Sequence, residues 1–153
     1  MKILMVCLGN ICRSPVAEGI MRRKIKEYGI DAEVDSAGTG GWHAGESPDD
    51  RMTGVARRFG TDISTQRARK FSVADFHRFD RIYVMDRSNY SDVLHLAQNE
   101  EETCKVDMLL NVIYPGKNMD VPDPYYGGRE GFENVYRLVD AACEKIAQEL
   151  QKM

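Results

Sequence analysis

Ile3-Leu4-Met5-Val6-Cys7-Leu8-Gly9-Asn10-Ile11-Cys12-Arg13-Ser14-Pro15 is the stretch on which the reading of this chain turns. Four apolar residues in a row read as a buried strand. Gly9 and Asn10 supply a tight turn, since both tolerate backbone geometry that other residues avoid. Pro15 reads as the first position of a helix, where its missing N–H costs nothing. Strand, loop and helix start thus follow one another directly. A loop of backbone N–H groups feeding a helix N-terminus attracts anions, and the same field favours a thiolate, the nucleophilic form of cysteine. Arg13 stands six positions after Cys7 and offers a planar fork of donors that matches phosphate oxygens. Ser14 can donate a hydrogen bond to the Cys7 sulfur.

The rest of the chain extends the alternation. Ala17, Met21, Ile25 and Tyr28 recur at helical spacing and Gly29 ends the helix. Ala32-Glu33-Val34 starts a second strand. The glycine-rich run Ser36 to Pro48, with Trp42 inside it, reads as loop. Asp49 to Phe59 reads as a short helix stopped by Gly60, and Ser72 to Phe76 as a helical turn or two. Arg81 to Met85 is a strand, Asp86 to Ala97 a helix, Glu100-Glu101-Glu102 a solvated turn and Val106 to Leu110 a fourth strand. Tyr114 to Gly128 is irregular. Phe132, Val135, Tyr136, Val139, Ala142, Cys143, Ile146 and Leu150 make a long amphipathic C-terminal helix. Strands alternating with helices argue for an α/β three-layer sandwich, a central four-stranded parallel sheet covered on both faces. Ligands bind at the carboxyl ends of such strands, where the Cys7 loop lies. The 153 residues fit one domain, 1–153, without repeats or low-complexity segments.

Composition narrows the function. A formal net charge of -3 argues against broad nucleic-acid binding. The charge is uneven, since residues 51–87 hold nine Lys/Arg against four Asp/Glu. That basic middle reads either as help in collecting anionic substrates or as solvated helix faces. No apolar run approaches the roughly 18–20 residues of a membrane span. The N-terminus reads as a strand rather than a signal peptide. Four cysteines lack the density of a secreted scaffold, so a reducing, cytoplasmic setting is expected.

Other readings of the loop fit less well. As a small buried hydrophobe, Cys7 would leave Arg13 and the Gly-Asn turn unexplained. A nucleotide-binding P-loop needs Gly-Lys-Ser/Thr, and the loop has no lysine. Cys7 and Cys12 are too far apart for a Cys-x-x-Cys redox site. His43, His77 and His95 are scattered and Cys104 and Cys143 have no near partner, so no zinc set is expected. Attack on a phosphate ester also needs a proton for the leaving oxygen. Asp123, in Val121-Pro122-Asp123-Pro124-Tyr125-Tyr126, is the best candidate. From the residues alone it reads equally as that acid and as an ordinary turn aspartate.

Two motifs carry a resemblance that spans essentially the whole chain. Val6 to Pro15 resembles, without a gap, the Val-Cys-x-Gly-Asn-x-Cys-Arg-Ser-Pro signature of the low-molecular-weight protein tyrosine phosphatases. Asp123 to Tyr126 resembles their Asp-Pro-Tyr-Tyr acid loop. Val34 to Gly38 and Met85-Asp86-x-Ser88-Asn89 look like further landmarks of that family. The resemblance implies a phosphotyrosine-containing protein substrate, inhibition by inorganic phosphate and similar oxyanions, and no cofactor. It implies Cys7 as nucleophile of a cysteinyl-phosphate, Arg13 as phosphate ligand and Asp123 as general acid and then base. Leu8, Gly9, Asn10, Ile11, Cys12 and Ser14 complete the phosphate loop, and Cys12 is the partner that an oxidised Cys7 would take. Trp42, Tyr125 and Tyr126 would wall an aromatic ring. Gln66 stands where many relatives carry a histidine bonded to the loop asparagine, and an amide can make a similar bond.

Rivals of the same fold are an arginine-phosphate phosphatase, an arsenate reductase and a binder without activity. Ile11 in place of threonine and the paired tyrosines disfavour the first. Residues 78–95, which contain no cysteine for a disulfide relay, disfavour the second. Joint retention of Cys7, Arg13 and Asp123 disfavours the third.

Overall fold

A computed structural model describes residues 1–125 and 128–153. Its sheet has four parallel strands: β1 (Lys2–Cys7), β2 (Glu33–Gly38), β3 (Arg81–Val84) and β4 (Val106–Met108), in the order β2-β1-β3-β4. Helices α1 (Arg13–Glu27), α2 (Asp50–Arg58), α3 (Asp75–Arg78), α4 (Arg87–Leu96), α5 (Glu100–Cys104) and α6 (Arg129–Gln151) cover it. The three-layer α/β architecture read from the sequence is therefore present.

β1 is the spine. Ile3, Leu4, Met5 and Val6 are all fully buried, and successive side chains leave on opposite faces. Ile3 and Met5 join α1 and α6 in one core, with Val16, Ile20, Phe132 and Val139. Leu4 and Val6 join Phe76, Ile82, Val84 and Val93 in the other. Each such side chain contributes roughly 1.5–3 kcal/mol on leaving water. A strand wanted by two cores cannot slip by one residue, so the position of Cys7 at its end is firmly set.

Several boundaries differ from the sequence reading. α1 begins at Arg13, so Pro15 is the third helical residue rather than the first. It is tolerated because the first four N–H groups of a helix lack intrahelical partners. Ser36-Ala37-Gly38 is strand, not loop: these residues pair with Met5, Val6 and Cys7. Glu100 to Glu102 opens helix α5 rather than forming a turn, because the Asn99 side chain accepts from the Glu102 N–H and acids suit a helix N-terminus. Glu102 itself is buried, and one of its carboxylate oxygens accepts from the Gln98 N–H. The fourth strand stops at Met108 and continues as a 3₁₀ turn, Leu109–Val112. α3 starts at Asp75, later than Ser72.

Gly38, at the end of β2, lies hard against the loop that follows β1. A Cβ there would sit 2.7 Å from the Leu8 carbonyl oxygen and 3.1 Å from the Asn10 N. Both are backbone atoms and cannot step aside cheaply. Gly38→Ala is expected to cost about 1–3 kcal/mol of unfolding free energy in a denaturant titration; an unchanged midpoint would contradict the close approach.

Candidate active site

Cys7 ends β1, and the residues from Leu8 to Cys12 curl back before α1 begins. The curl is made at Asn10, whose φ of 57° lies in the left-handed region. Asparagine bears that geometry better than most residues. Three loop carbonyls are drawn away from its centre: Cys7, Leu8 and Ile11 accept from the N–H groups of Thr39, Gly40 and Asp49 at 2.9, 2.9 and 2.7 Å. Among the described residues no side chain caps the N-terminus of α1. Its first-turn N–H groups therefore suit an anion.

Behind the loop, Asn10 makes three bonds. Its Oδ1 accepts from the Arg69 N–H at 3.0 Å, and its Nδ2 donates to Ser14 Oγ at 2.8 Å and Ser36 Oγ at 3.0 Å. Ser14 Oγ is 3.0 Å from Cys7 Sγ, a hydrogen bond that either can donate. Gln66 does not take the supporting place expected of it. Its amide donates to the Pro15 carbonyl at 3.0 Å, and the Arg69 backbone supports Asn10 instead. Arg69 is in turn fixed through its guanidinium, which meets both oxygens of the fully buried Asp75 at 3.1 Å.

Arg13 is 3% exposed, so its charge has to be met inside the protein. Nη1 donates to Asp86 Oδ2 at 2.7 Å and to the Val121 carbonyl at 3.0 Å, while Nη2 lies 3.8 Å from Asp123 Oδ2. Burial works against the cation, but Cys7, Asp86 and Asp123 more than offset it and raise the Arg13 pKa. Asp86 is the N-cap of α4, and its other oxygen accepts from the Asn89 N–H at 2.7 Å.

Cys12 lies in the same loop but differs in kind. Burial first, then the neighbouring Cys7, Asp49 and Asp123, push its thiol far above the ordinary cysteine range. It is a poor nucleophile there.

These groups meet in a cavity of about 320 Å³. Of the residues expected from the sequence, Cys7, Leu8, Gly9, Ile11, Cys12, Arg13, Trp42, Asp123 and Tyr125 line it. Asn10 and Ser14 do not; they are buried behind the loop and hold its shape. Tyr126 lies outside the described residues. Trp42 is 69% exposed and lies across the backbone of Gly40, where an added Cβ would fall 1.2 Å from its ring. The acid loop is anchored at both ends. The Val121 N–H donates to the Met85 carbonyl at 2.7 Å, and Arg51 donates to the Tyr125 carbonyl at 3.1 Å with its guanidinium 5.2 Å from that ring. Asp123 Oδ1 accepts from the Tyr125 N–H at 3.0 Å.

The sequence reading gave no role to Asp86, Ser36, Arg69 or His43. His43 also lines the cavity, with Nδ1 2.8 Å from Glu46 Oε2. Asp86 left a visible signal, an Asp-x-x-Asn cap directly after a strand, and His43 is next to Trp42. A second, wider cleft of about 480 Å³ opens at the amino ends of β1 and β2, beside Lys2 and Glu33. It holds none of these reactive groups.

Comparison with known proteins agrees with this geometry. Residues 2–153 match the family model described as low molecular weight phosphotyrosine protein phosphatase. A low molecular weight protein-tyrosine-phosphatase of Streptomyces coelicolor is 41% identical, over 92% of this chain and 88% of the relative. The crystal structure of a protein tyrosine phosphatase from Entamoeba histolytica, with Hepes in its active site, superposes with a TM-score of 0.92 at 37% identity. That match covers 99% of this chain and 97% of the other. A Drosophila arginine phosphatase superposes with a TM-score of 0.89 at 34% identity, covering 97% of each chain.

Removing the Asp86 carboxylate should strand a buried cation. Asp86→Ala is expected to lose about 3–5 kcal/mol of stability in a denaturant titration. Asp86→Asn, which keeps an N-cap acceptor, should lose less. Equal midpoints for all three proteins would mean that Arg13 does not depend on this pair.

Proposed function

The chain belongs to the low molecular weight phosphotyrosine protein phosphatase family, and on that premise we propose that it hydrolyses phosphotyrosine in protein substrates through a cysteinyl-phosphate intermediate. The reading rests above all on one juxtaposition: Cys7, Arg13 and Asp123 border a single cavity whose rim carries Trp42 and Tyr125.

The phosphoryl group occupies the loop from Leu8 to Ser14, held by backbone N–H groups and the Arg13 fork. Cys7 Sγ attacks phosphorus as the bond to the phenolic oxygen breaks. Asp123 gives its proton to that oxygen, so the leaving group departs as a phenol. In the second half Asp123 takes a proton from water, whose oxygen attacks phosphorus, and the S–P bond breaks to return the thiolate. Charge on the equatorial oxygens is spread over donors already in place, which is where most of the rate enhancement of phosphoryl transfer arises. Ser14, next to the sulfur, steadies its negative charge in both halves. No step calls for a metal or another cofactor.

Ring recognition favours tyrosine over arginine. Trp42 and Tyr125 offer flat apolar surface at the mouth, and Ile11 adds a branched hydrocarbon inside it. The fold also serves an arginine phosphatase in Drosophila, so the fold by itself does not choose. Among the described residues no helix is long and apolar enough to cross a membrane. The mechanism needs Cys7 reduced, which fits a cytoplasmic setting.

The test is hydrolysis of p-nitrophenyl phosphate at mildly acidic pH, with vanadate and phosphate as inhibitors. Cys7→Ser is expected to abolish turnover; retained activity would refute the mechanism. Asp123→Ala should lower kcat by about 10²–10³-fold with the inhibition constant of phosphate nearly unchanged. Normal turnover in that variant would assign the proton to another group. Phosphotyrosine and phosphoarginine peptides assayed side by side decide the substrate, and the higher kcat/KM is expected on phosphotyrosine.

A further inference from the structure

α1 carries one carboxylate where the sequence is otherwise apolar. Glu18, in Val16-Ala17-Glu18-Gly19-Ile20, is only 5% exposed. Its Oε1 accepts from Ser36 Oγ at 2.6 Å, and its Oε2 pairs with Arg22 Nη2 at 2.6 Å. Arg22 is more than half exposed and also donates to the Val34 carbonyl. Nothing in the proposed chemistry uses Glu18, yet it stands two hydrogen bonds behind Asn10.

The bond directions in this group follow from the one group that can only donate. The Arg69 N–H can only donate, so the Asn10 atom facing it is Oδ1, and Nδ2 faces the two serines. Both Nδ2 protons are then spent, one on Ser14 and one on Ser36. A hydroxyl has a single proton. Ser36 accepts from Asn10, so its own proton goes to Glu18. Ser14 also accepts from Asn10, so its proton is left for Cys7 Sγ at 3.0 Å, the Ala37 carbonyl at 3.4 Å being the weaker alternative. One chain of donors thus runs outward from Asn10, through Ser36 to Glu18 and through Ser14 to the sulfur.

We propose that Glu18 is a positioning residue of the active site: by accepting the Ser36 proton it turns a Ser36 lone pair to Asn10, which locks the amide that directs the Ser14 hydroxyl at Cys7. The inference rests on the phosphatase reading only for its effect on turnover; the bond order stands on geometry. Were Glu18 to lose its acceptor, the buried Ser36 proton would have no carboxylate to fix it, and the Ser36 lone pair would no longer be held on the Asn10 N–H. Burial pushes the Glu18 carboxyl up, while the Ser36 hydroxyl and Arg22 pull against it. Arg22 holds Oε2, so it is Oε1, an acceptor, that faces the Ser36 hydroxyl.

The experiment compares the native protein with Glu18→Ala, Glu18→Gln, Ser36→Ala and the double variant. It reads the rate of Cys7 alkylation by iodoacetate at mildly acidic pH, kcat and KM for p-nitrophenyl phosphate, and the melting temperature. Glu18→Ala is expected to slow both alkylation and kcat about tenfold, with KM nearly unchanged. Glu18→Gln, whose Oε1 can still accept from Ser36, should recover most of both rates. Adding Ser36→Ala to Glu18→Ala should cost little more, because the two act through one bond. Alkylation at the native rate in Glu18→Ala, whatever happens to its melting temperature, would reduce Glu18 to a structural carboxylate and overturn the proposal. So would equal losses in Glu18→Gln and Glu18→Ala. If Glu18→Ala does not fold, Ser36→Ala decides, and native alkylation there overturns the proposal too. Alkylation needs no turnover, so a native protein inactive on aryl phosphates would refute the phosphatase reading while leaving this test intact.

Discussion

The loop at the carboxyl end of β1 hangs on the side chain of Asn10. Its backbone sits at a φ of 57°, a conformation that most residues avoid and that surrounding structure has to hold in place. The amide supplies that hold with three hydrogen bonds, to the Arg69 backbone and to two serine hydroxyls. The anion loop is therefore not self-supporting. It is tied through Ser36 to β2, through Arg69 to the segment that pairs with the end of β2 at Gly38, and through Ser14 to the first turn of α1. Gly38 closes the arrangement by letting β2 touch the loop's backbone. The loop's curvature, which decides whether its N–H groups converge, is thus borrowed from two elements distant in sequence and from the first turn of α1.

A second dependence joins the Arg13 cation to the Asp123 loop. Arg13 meets Asp86 and the Val121 carbonyl through the same nitrogen. Val121 is two residues before Asp123, and its N–H is fastened to the end of β3. The Arg13 guanidinium is thereby a brace for the segment carrying Asp123. Ion pairs of this depth gain little net stability over a well-packed apolar alternative. Their value lies in geometry, since a planar fork with fixed partners has few other places to go.

What the sequence could reveal followed from periodicity and chemistry. The apolar run Ile3 to Val6, the spacing of Phe132 to Leu150 and the helices read as beginning at Asp49 and Asp86 were legible from local pattern, and the structure shows both aspartates as N-caps. Glu100 to Glu102 misled because three acids in a row look solvated, whereas Asn99 makes them the first turn of a helix. Ser36 to Gly38 misled because its small residues resemble a loop, and only pairing with β1 makes them strand. Cys7 and Arg13 stood out by type and spacing, whereas Asp123 read equally as a turn aspartate until the family resemblance singled it out; the structure brings the three to one cavity. The support behind them was not legible. A backbone N–H such as that of Arg69 has no signature in a sequence, so Gln66 drew attention that belonged three residues further on. Glu18 was visible only as a lone charge in an apolar stretch.

Trp42 rests on the main chain of Gly40 instead of on a packed core. The wall that would greet a substrate and the cradle that would bind its phosphate therefore stand on separate foundations. The cradle is locked by buried bonds among Asn10, Ser14 and Ser36. The wall is a side chain laid over a glycine on an exposed loop, with little beneath it to disturb. Such a molecule can change its clientele by revising a few surface residues while its reaction machinery stays as it is.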